Sequence, residues 1–298
     1  MSQDGTPSES KRFVLFGFWF ILSVALFWKP VESLVRYSLG NDNASHIVLI
    51  PFISAWLLYF EQKRIFKQVA FDYGSGAVLL LASIGVGLWT LRVNAAWTET
   101  EALSGYTFAL VLLWIAGFAL IFGRSALRNA RFSLLFLLLM IPPPDSWLNY
   151  SIYYLQKGSA DIAELIFDLA GVPALREGFV FHLAHLSIEV AKECSGIRSS
   201  LALLILALLV GHLFLRAFWK QVVFVIVGLV IMIVKNGIRI ATLTILAQYV
   251  DSGFLYGRLH HEGGVVFFLI GLALLLPVFL LLQRGEAPRA AVRDATEG

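Results

Sequence analysis

The chain has 298 residues, of which 58% are hydrophobic, 14% aromatic and only 14% charged, with a formal net charge of +3. A soluble domain carries nearer about 25% charged residues to solvate its surface. The composition therefore excludes a soluble cytosolic enzyme, a disordered chain and, because Cys194 is the one cysteine, a disulfide scaffold.

That balance points to a bilayer, where a spanning helix needs about 20 apolar residues. Apolar runs bounded by charge predict eight spans, at roughly residues 13–29, 46–60, 75–92, 104–123, 131–144, 199–216, 219–248 and 264–283, in an all-α polytopic membrane protein. The first run follows Lys11 and Arg12, and no small-x-small cleavage pattern precedes Lys29 and Pro30, so it reads as a retained anchor. The fifth, FSLLFLLLMI, is stopped by Pro142, Pro143 and Pro144 and spans only if Arg128 and Arg131 snorkel at one end.

Between the fifth and sixth spans lies a hydrophilic segment, about residues 143–198. Its first part, Trp147 to Leu169, sets Leu148, Ile152, Leu155, Ile162, Leu165 and Ile166 at helical spacing, with Lys157, Asp161, Glu164 and Asp168 between them. This predicts an amphipathic helix on the outer membrane surface. FVFHLAHLSIEVA then alternates Val180, His182 and Ala184 with Phe181 and Leu183, and Leu186, Ile188 and Val190 with Ser187 and Glu189. A short β-hairpin turning near Ala184 follows. The polar ends, residues 1–12 and 285–298, read as tails of a single integral membrane domain covering 1–298.

Loop charge sets the orientation. Lys63, Arg64 and Lys67, then Arg124, Arg128 and Arg131, then Arg216 and Lys220, then Arg284, Arg289 and Arg293 fall on one side; Glu99 and Glu101, the acidic 143–198 segment, and Asp251 and Glu262 fall on the other. Eight spans with both termini cytoplasmic satisfy the positive-inside rule, which accounts for the basic charge without a nucleic-acid partner. The 143–198 segment is then extracytoplasmic, and it is where function is expected.

Cys194 stands in ECSGIRSS, just before the sixth span. A helix N-terminus and Arg198 one turn later favour a thiolate, whereas the bland alternative is an inert buried cysteine, which would have no use for Glu193 and Arg198 beside it. The seventh span holds KNGIRIATL, placing Lys235, Asn236 and Arg239 in an apolar run, with Lys235 and Arg239 on one face and Asn236 also within reach of Arg239. Intramembrane cations cost roughly 2.5–3.5 kcal/mol each, so they mark function by default, the alternative being that they snorkel to outer headgroups. His260 and His261, in GRLHHEGGVVFF before the last span, offer a proton carrier on the same face; HHE lacks metal-ligand spacing, so neither a metal nor a cofactor is expected. His182 and His185 could serve instead, or merely decorate the hairpin.

Taken in order, FLLLMIPPP, ECSGIRSS, NGIR and a histidine before GGVVFF resemble the exosortase family of membrane cysteine transpeptidases, relatives of the archaeosortases. The resemblance covers about residues 131–283 and implies a catalytic core there. It makes Cys194 the nucleophile, Arg239 the catalytic arginine and His260, four residues before Gly264, the third member, with His261 the nearest competitor. A histidine at this place favours the bacterial branch, whose members lie in the inner membrane. The implied substrates are exported proteins with a C-terminal signal of a Pro-Glu-Pro motif, a transmembrane helix and basic residues. The implied chemistry is a thioester at Cys194, resolved by water or another nucleophile. The competing reading is a transporter or glycan polymerase that binds an anionic substrate through Arg239, Lys235 and Arg198, which gives Cys194 no role.

Overall fold

A computed structural model describes residues 9–192, 196–255 and 264–284. The chain divides into two compact units, Met1–Trp147 and Leu148–Gly298.

The first unit contains α1 (Glu9–Leu26), α2 (Trp28–Gly40), α3 (Ile50–Phe60), α4 (Gln62–Ile65), α5 (Tyr73–Val93), α6 (Glu99–Asn129) and α7 (Arg131–Phe136). Its core is α6, started by a capping box in which Thr98 and Glu101 bond each other's backbone N–H. Trp19 of α1 lies over Gly117 of α6, where an added Cβ would sit 2.2 Å from its indole nitrogen, and donates to the Leu113 carbonyl at 3.0 Å. Ser83 of α5 donates to the Ala109 carbonyl at 2.8 Å, and Thr90 fills the notch at Gly105. Small residues let these helices approach, and the Ser83 and Thr90 hydroxyls both find backbone acceptors, as an apolar surround favours.

Two predicted spans take a different form. The first is not a straight run to Lys29: α1 ends at Leu26, and the axis turns by 80° into α2. Pro30 explains the break, because its ring crowds the carbonyl four residues back, that of Leu26, while its missing N–H falls in the first turn of α2, where no partner is needed. The fifth does not form a helix of spanning length. Residues 131–144 give only α7 and a 3-10 turn over Leu137–Met140 before the prolines impose an extended chain.

This segment nonetheless returns along the whole of α6. At its start Ser54 donates to the Ser133 carbonyl at 2.6 Å, close to where Asn129 and Arg64 bond at the end of α6. At its finish Ser104 donates to the Pro142 carbonyl at 2.6 Å and Thr98 to the Asp145 carboxylate at 3.0 Å, both at the start of α6. Ser133, Leu134, Phe136, Leu137, Met140 and Pro142 are buried, so the non-helical backbone lies inside protein.

The second unit takes in most of α8 (Asp145–Leu169), which opens at the unit boundary, then β1 (Leu175–Glu177), β2 (Val180–His182), β3 (Ser187–Glu189), α9 (Ile197–Phe214), α10 (Phe218–Tyr249) and α11 (Gly264–Gln283). The predicted hairpin is present, with Phe181 paired to Ile188 and the bend at Ala184 and His185, and it gains a third antiparallel strand, β1, on its outer edge. The predicted amphipathic helix is present too; of its aliphatic stripe Ile152 is buried and Ile162 and Ile166 are half-buried, and the rest of the buried face is Gln156, Ser159, Ala160, Ala163 and Phe167. Ala160, Ala163 and Phe167 join Phe181, Val190, Ile240 and Ala241 in one core, and Leu203, Ala207, Phe224, Ile231 and Leu275 of α9, α10 and α11 form another.

Among the described residues, six stretches are long and apolar enough to cross a membrane: Asp42–Phe60, Tyr73–Ala96, Glu99–Asn129, Ile197–Phe214, Phe218–Tyr249 and Gly264–Gln283. The bent α1–α2 pair makes a seventh if it counts as one span. The protein is thus a helical multi-pass membrane protein, and the expected eight helical spans are not all found.

Candidate active site

Gly196 caps the N-terminus of α9 in a left-handed conformation, φ 67°. Its carbonyl accepts from the Ser200 N–H at 2.9 Å and from the Ser199 hydroxyl at 3.0 Å. A Cβ here would lie 2.5 Å from Asn236 Oδ1, so glycine is required both by the backbone angle and by the approach of α10. Arg198, the next residue but one, is exposed.

On α10 the predicted Lys235 and Asn236 are each only 1% exposed. The Lys235 ammonium donates to Ser199 Oγ in a short hydrogen bond, and its stem runs past Gly271 of α11, where a Cβ would stand 3.4 Å from Lys235 Cδ. Asn236 Nδ2 donates to Ser159 Oγ of α8 at 3.0 Å. The helices can meet so closely because glycine lines the seam: a Cβ on Gly237 would fall 2.5 Å from Ile162 Cβ, and one on Gly158 would fall 2.8 Å from Ile233 Cγ2. Arg239 stands one turn beyond Lys235, half-buried. Three helices, α8, α9 and α10, therefore gather polar side chains at one level of an otherwise apolar bundle, and α11 packs against them through Gly271.

The sheet closes against α8 by a second polar set. Arg176 of β1 donates to Asp161 at 2.8 Å and Glu164 at 2.7 Å, and to the Gly178 carbonyl. Burial works against its charge, but the two carboxylates outweigh this and raise its pKa. Gln156 Nε2 bonds the Val190 carbonyl at 2.8 Å. Beside it a cavity of about 470 Å³ is lined by Asn149, Tyr153, Phe179, Glu189 and Lys192, ending two residues before Cys194 in the chain. A larger cavity of about 1620 Å³, between α1, α2, α5 and α6, contains none of the predicted site residues.

Of those residues, Lys235 and Asn236 on α10 are brought against Ser199 and Gly196 on α9. Glu193, Cys194, His260 and His261 lie outside the described residues. His182 is engaged within the sheet, its Nδ1 2.9 Å from Ser187 Oγ, and His185 lies exposed on the bend. Ser199 and Ser159 were not singled out from the sequence. The signal for Ser159 was the run of small residues Gly158, Ser159 and Ala160 in a helix otherwise read as aliphatic.

A family model described as Transmembrane exosortase (Exosortase_EpsH) matches residues 32–277. No curated protein and no solved structure matches the chain.

Proposed function

The chain belongs to the transmembrane exosortase family of membrane transpeptidases, and on that premise we propose that it is a cysteine peptidase that cleaves the C-terminal sorting signal of exported proteins through a thioester at Cys194. The observation that carries this reading is the gathering of Gly196, Ser199, Lys235 and Asn236 at the N-terminal end of α9, with Arg239 one turn further on. Two peptide units, about 7 Å of chain, separate Cys194 from Gly196.

In this mechanism the Cys194 thiolate attacks the scissile carbonyl carbon. Arg239 stabilises the developing oxyanion by charge-assisted hydrogen bonds. The tetrahedral intermediate collapses as the C–N bond breaks, and His260, with His261 as the alternative, gives its proton to the departing amine. An incoming amine or water then attacks the thioester and regenerates the thiol. The cavity ending at Lys192 offers aromatic and charged groups to the peptide that precedes the scissile bond.

For sidedness, the return of residues 131–145 along α6 supports the alternation of basic and acidic loops, with both termini cytoplasmic and the site on the outer face of an inner membrane. A substrate's transmembrane helix would then bring its flanking motif to the site.

Cys194→Ser and Cys194→Ala decide between this and anion binding without covalent chemistry. Loss of cleavage by at least about 10⁴-fold is expected, with a substrate-derived thioester trapped on the parent thiol. Iodoacetamide labelling of the parent that persists below about pH 7, under the ordinary thiol value of about 8.5, supports the nucleophile. A thiol that reacts only after denaturation, or a Cys194→Ser variant at parent activity, sinks the proposal.

A further inference from the structure

We propose that Lys235 and Asn236 are positioning residues that lock the backbone at Gly196, two residues after Cys194, from two sides and so set the reactivity of that thiol. The inference rests on the reading of Cys194 as nucleophile.

Consider first what Lys235 does for the fold. A lysine 1% exposed in an apolar helix is costly, and leucine or methionine would fill the same space without the charge. Among the described residues no carboxylate is paired with it. The ammonium is directed to the N-terminal end of α9, itself a centre of partial positive charge, and Arg239 adds a second full charge one turn away. Like is placed with like. Such an arrangement suits an anion, and Cys194, two residues before the cap, is the group whose ionised form would supply it.

The hydrogen bonds show how the charge is delivered. Lys235 Nζ donates to Ser199 Oγ, and Ser199 Oγ donates in turn to the Gly196 carbonyl at 3.0 Å. This short chain polarises toward the cap and fixes the carbonyl. From the other side, Asn236 Oδ1 occupies the space a Cβ at 196 would need, and its Nδ2 is tied to Ser159 of α8. The stem of Lys235 leans on Gly271 of α11. The left-handed turn at Gly196 is therefore clamped between α10 and α9, with α8 and α11 behind the clamp. The charged groups on the described faces of these helices here are Arg198, Lys235 and Arg239.

The test is the iodoacetamide reactivity of Cys194, the single thiol, in the full-length protein reconstituted in lipid nanodiscs, followed across pH 5 to 9 with melting temperature in parallel. Lys235→Met and Ser199→Ala should each slow labelling about tenfold at pH 7 and move its midpoint upward, since each breaks a charge-assisted hydrogen-bond chain. Because the two residues act in one chain, the double variant should be no slower than either single. Ser199→Thr, which keeps the hydroxyl, should recover most of the rate. Lys235→Met should not melt earlier than the parent. Unchanged labelling in both single variants, multiplicative effects in the double, or a lowered melting temperature with a fixed pH midpoint overturns the proposal. Ser199→Ala keeps the test open if Lys235→Met does not fold. The assay uses no peptide substrate, so the readings separate: loss of sorting-signal cleavage in the parent with the labelling pattern intact fells the peptidase alone, whereas Cys194-dependent cleavage with unchanged labelling fells the clamp alone.

Discussion

Arg12 in the first unit and Lys235 in the second are buried to a similar degree, 2% and 1% exposed, and they are put to different uses. Arg12 repairs backbone. At Gly123, φ 86° and ψ 175°, α6 breaks, and the three carbonyls before it are met by donors from outside the helix. The Leu120 and Phe122 carbonyls are taken by the N–H groups of Asp72 and Ala70, and that of Ile121 by the Arg12 guanidinium, which also lies over the Phe71 ring, 4.3 Å from its centroid. Trp19, Ser54, Ser83 and Ser104 of this unit likewise donate to carbonyls, while Trp114 donates to the Ser23 hydroxyl. In the second unit Lys235 meets Ser199 and Asn236 meets Ser159, side chain to side chain. Polar groups used up by backbone make a scaffold; polar groups assembled among themselves at one level make a place for chemistry.

The sharpest break of this contrast is at Arg239. If the second unit holds the chemistry, Arg239→Ala should reduce turnover of a sorting-signal substrate by roughly 10²- to 10³-fold, the scale of losing an oxyanion donor. Arg239→Lys should be nearly as damaging, because a point charge does not replace a planar fork. Single-turnover cleavage by the purified variants measures both, and a lysine variant near the parent rate would show that charge alone suffices.

In the first unit the largest effect should fall on stability. Gly123→Ala places a Cβ 2.2 Å from the Ala70 carbonyl oxygen in a conformation open almost only to glycine. A loss of about 3 kcal/mol is expected, read as a lower melting temperature in detergent, with turnover per folded molecule unchanged. Arg12→Met should cost less, about 2 kcal/mol, because it leaves the Ile121 carbonyl without its charged donor but keeps the packing. Here the comparison becomes a direct test of two buried cations. Arg12→Met lowers stability and spares the rate, while Lys235→Met does the reverse; the same profile for both would erase the distinction.

Much of this was legible in the sequence because apolar run length and loop charge are strong signals. The last span, read as 264–283, is observed at Gly264–Gln283, and Lys235 and Asn236 were marked by the cost of burying them. The elements that departed from the reading turn on local backbone chemistry that hydropathy does not carry. Pro30 turned the first run by 80°, and the three prolines cut the fifth to half a helix. The buried face of α8 was read only in part, through Ile152, for a related reason. Hydrophobicity ranks Leu155 and Leu165 above Ser159 and Ala160, yet close approach to α10 at Gly237 selects the smaller side chains. Arg12 was read only as a flank of the first run, since nothing local to it announces a helix break at Gly123.

The smallest expected effect lies at the edge of that same break. Asp72 caps α5 by accepting from the N–H groups of Gly74 and Ser75 at 3.1 Å each, and it also accepts the Ser75 hydroxyl, while its own N–H goes to Leu120. The Ser75 hydroxyl, then the Ser75 and Gly74 N–H groups and the Arg124 charge, hold its carboxyl below the ordinary value of 3.8. A carboxylate depressed in the folded state contributes stability that is complete above the unfolded value and is lost as pH falls through the folded one. Between about pH 6 and about pH 3 the parent's melting temperature should therefore fall more steeply than that of Asp72→Asn, which keeps a capping oxygen but cannot titrate. The difference will be slight, because the carboxylate is only partly buried. Equal slopes would show that this cap draws nothing from its charge, and the scaffold reading of the first unit would then rest on neutral hydrogen bonds and Arg12.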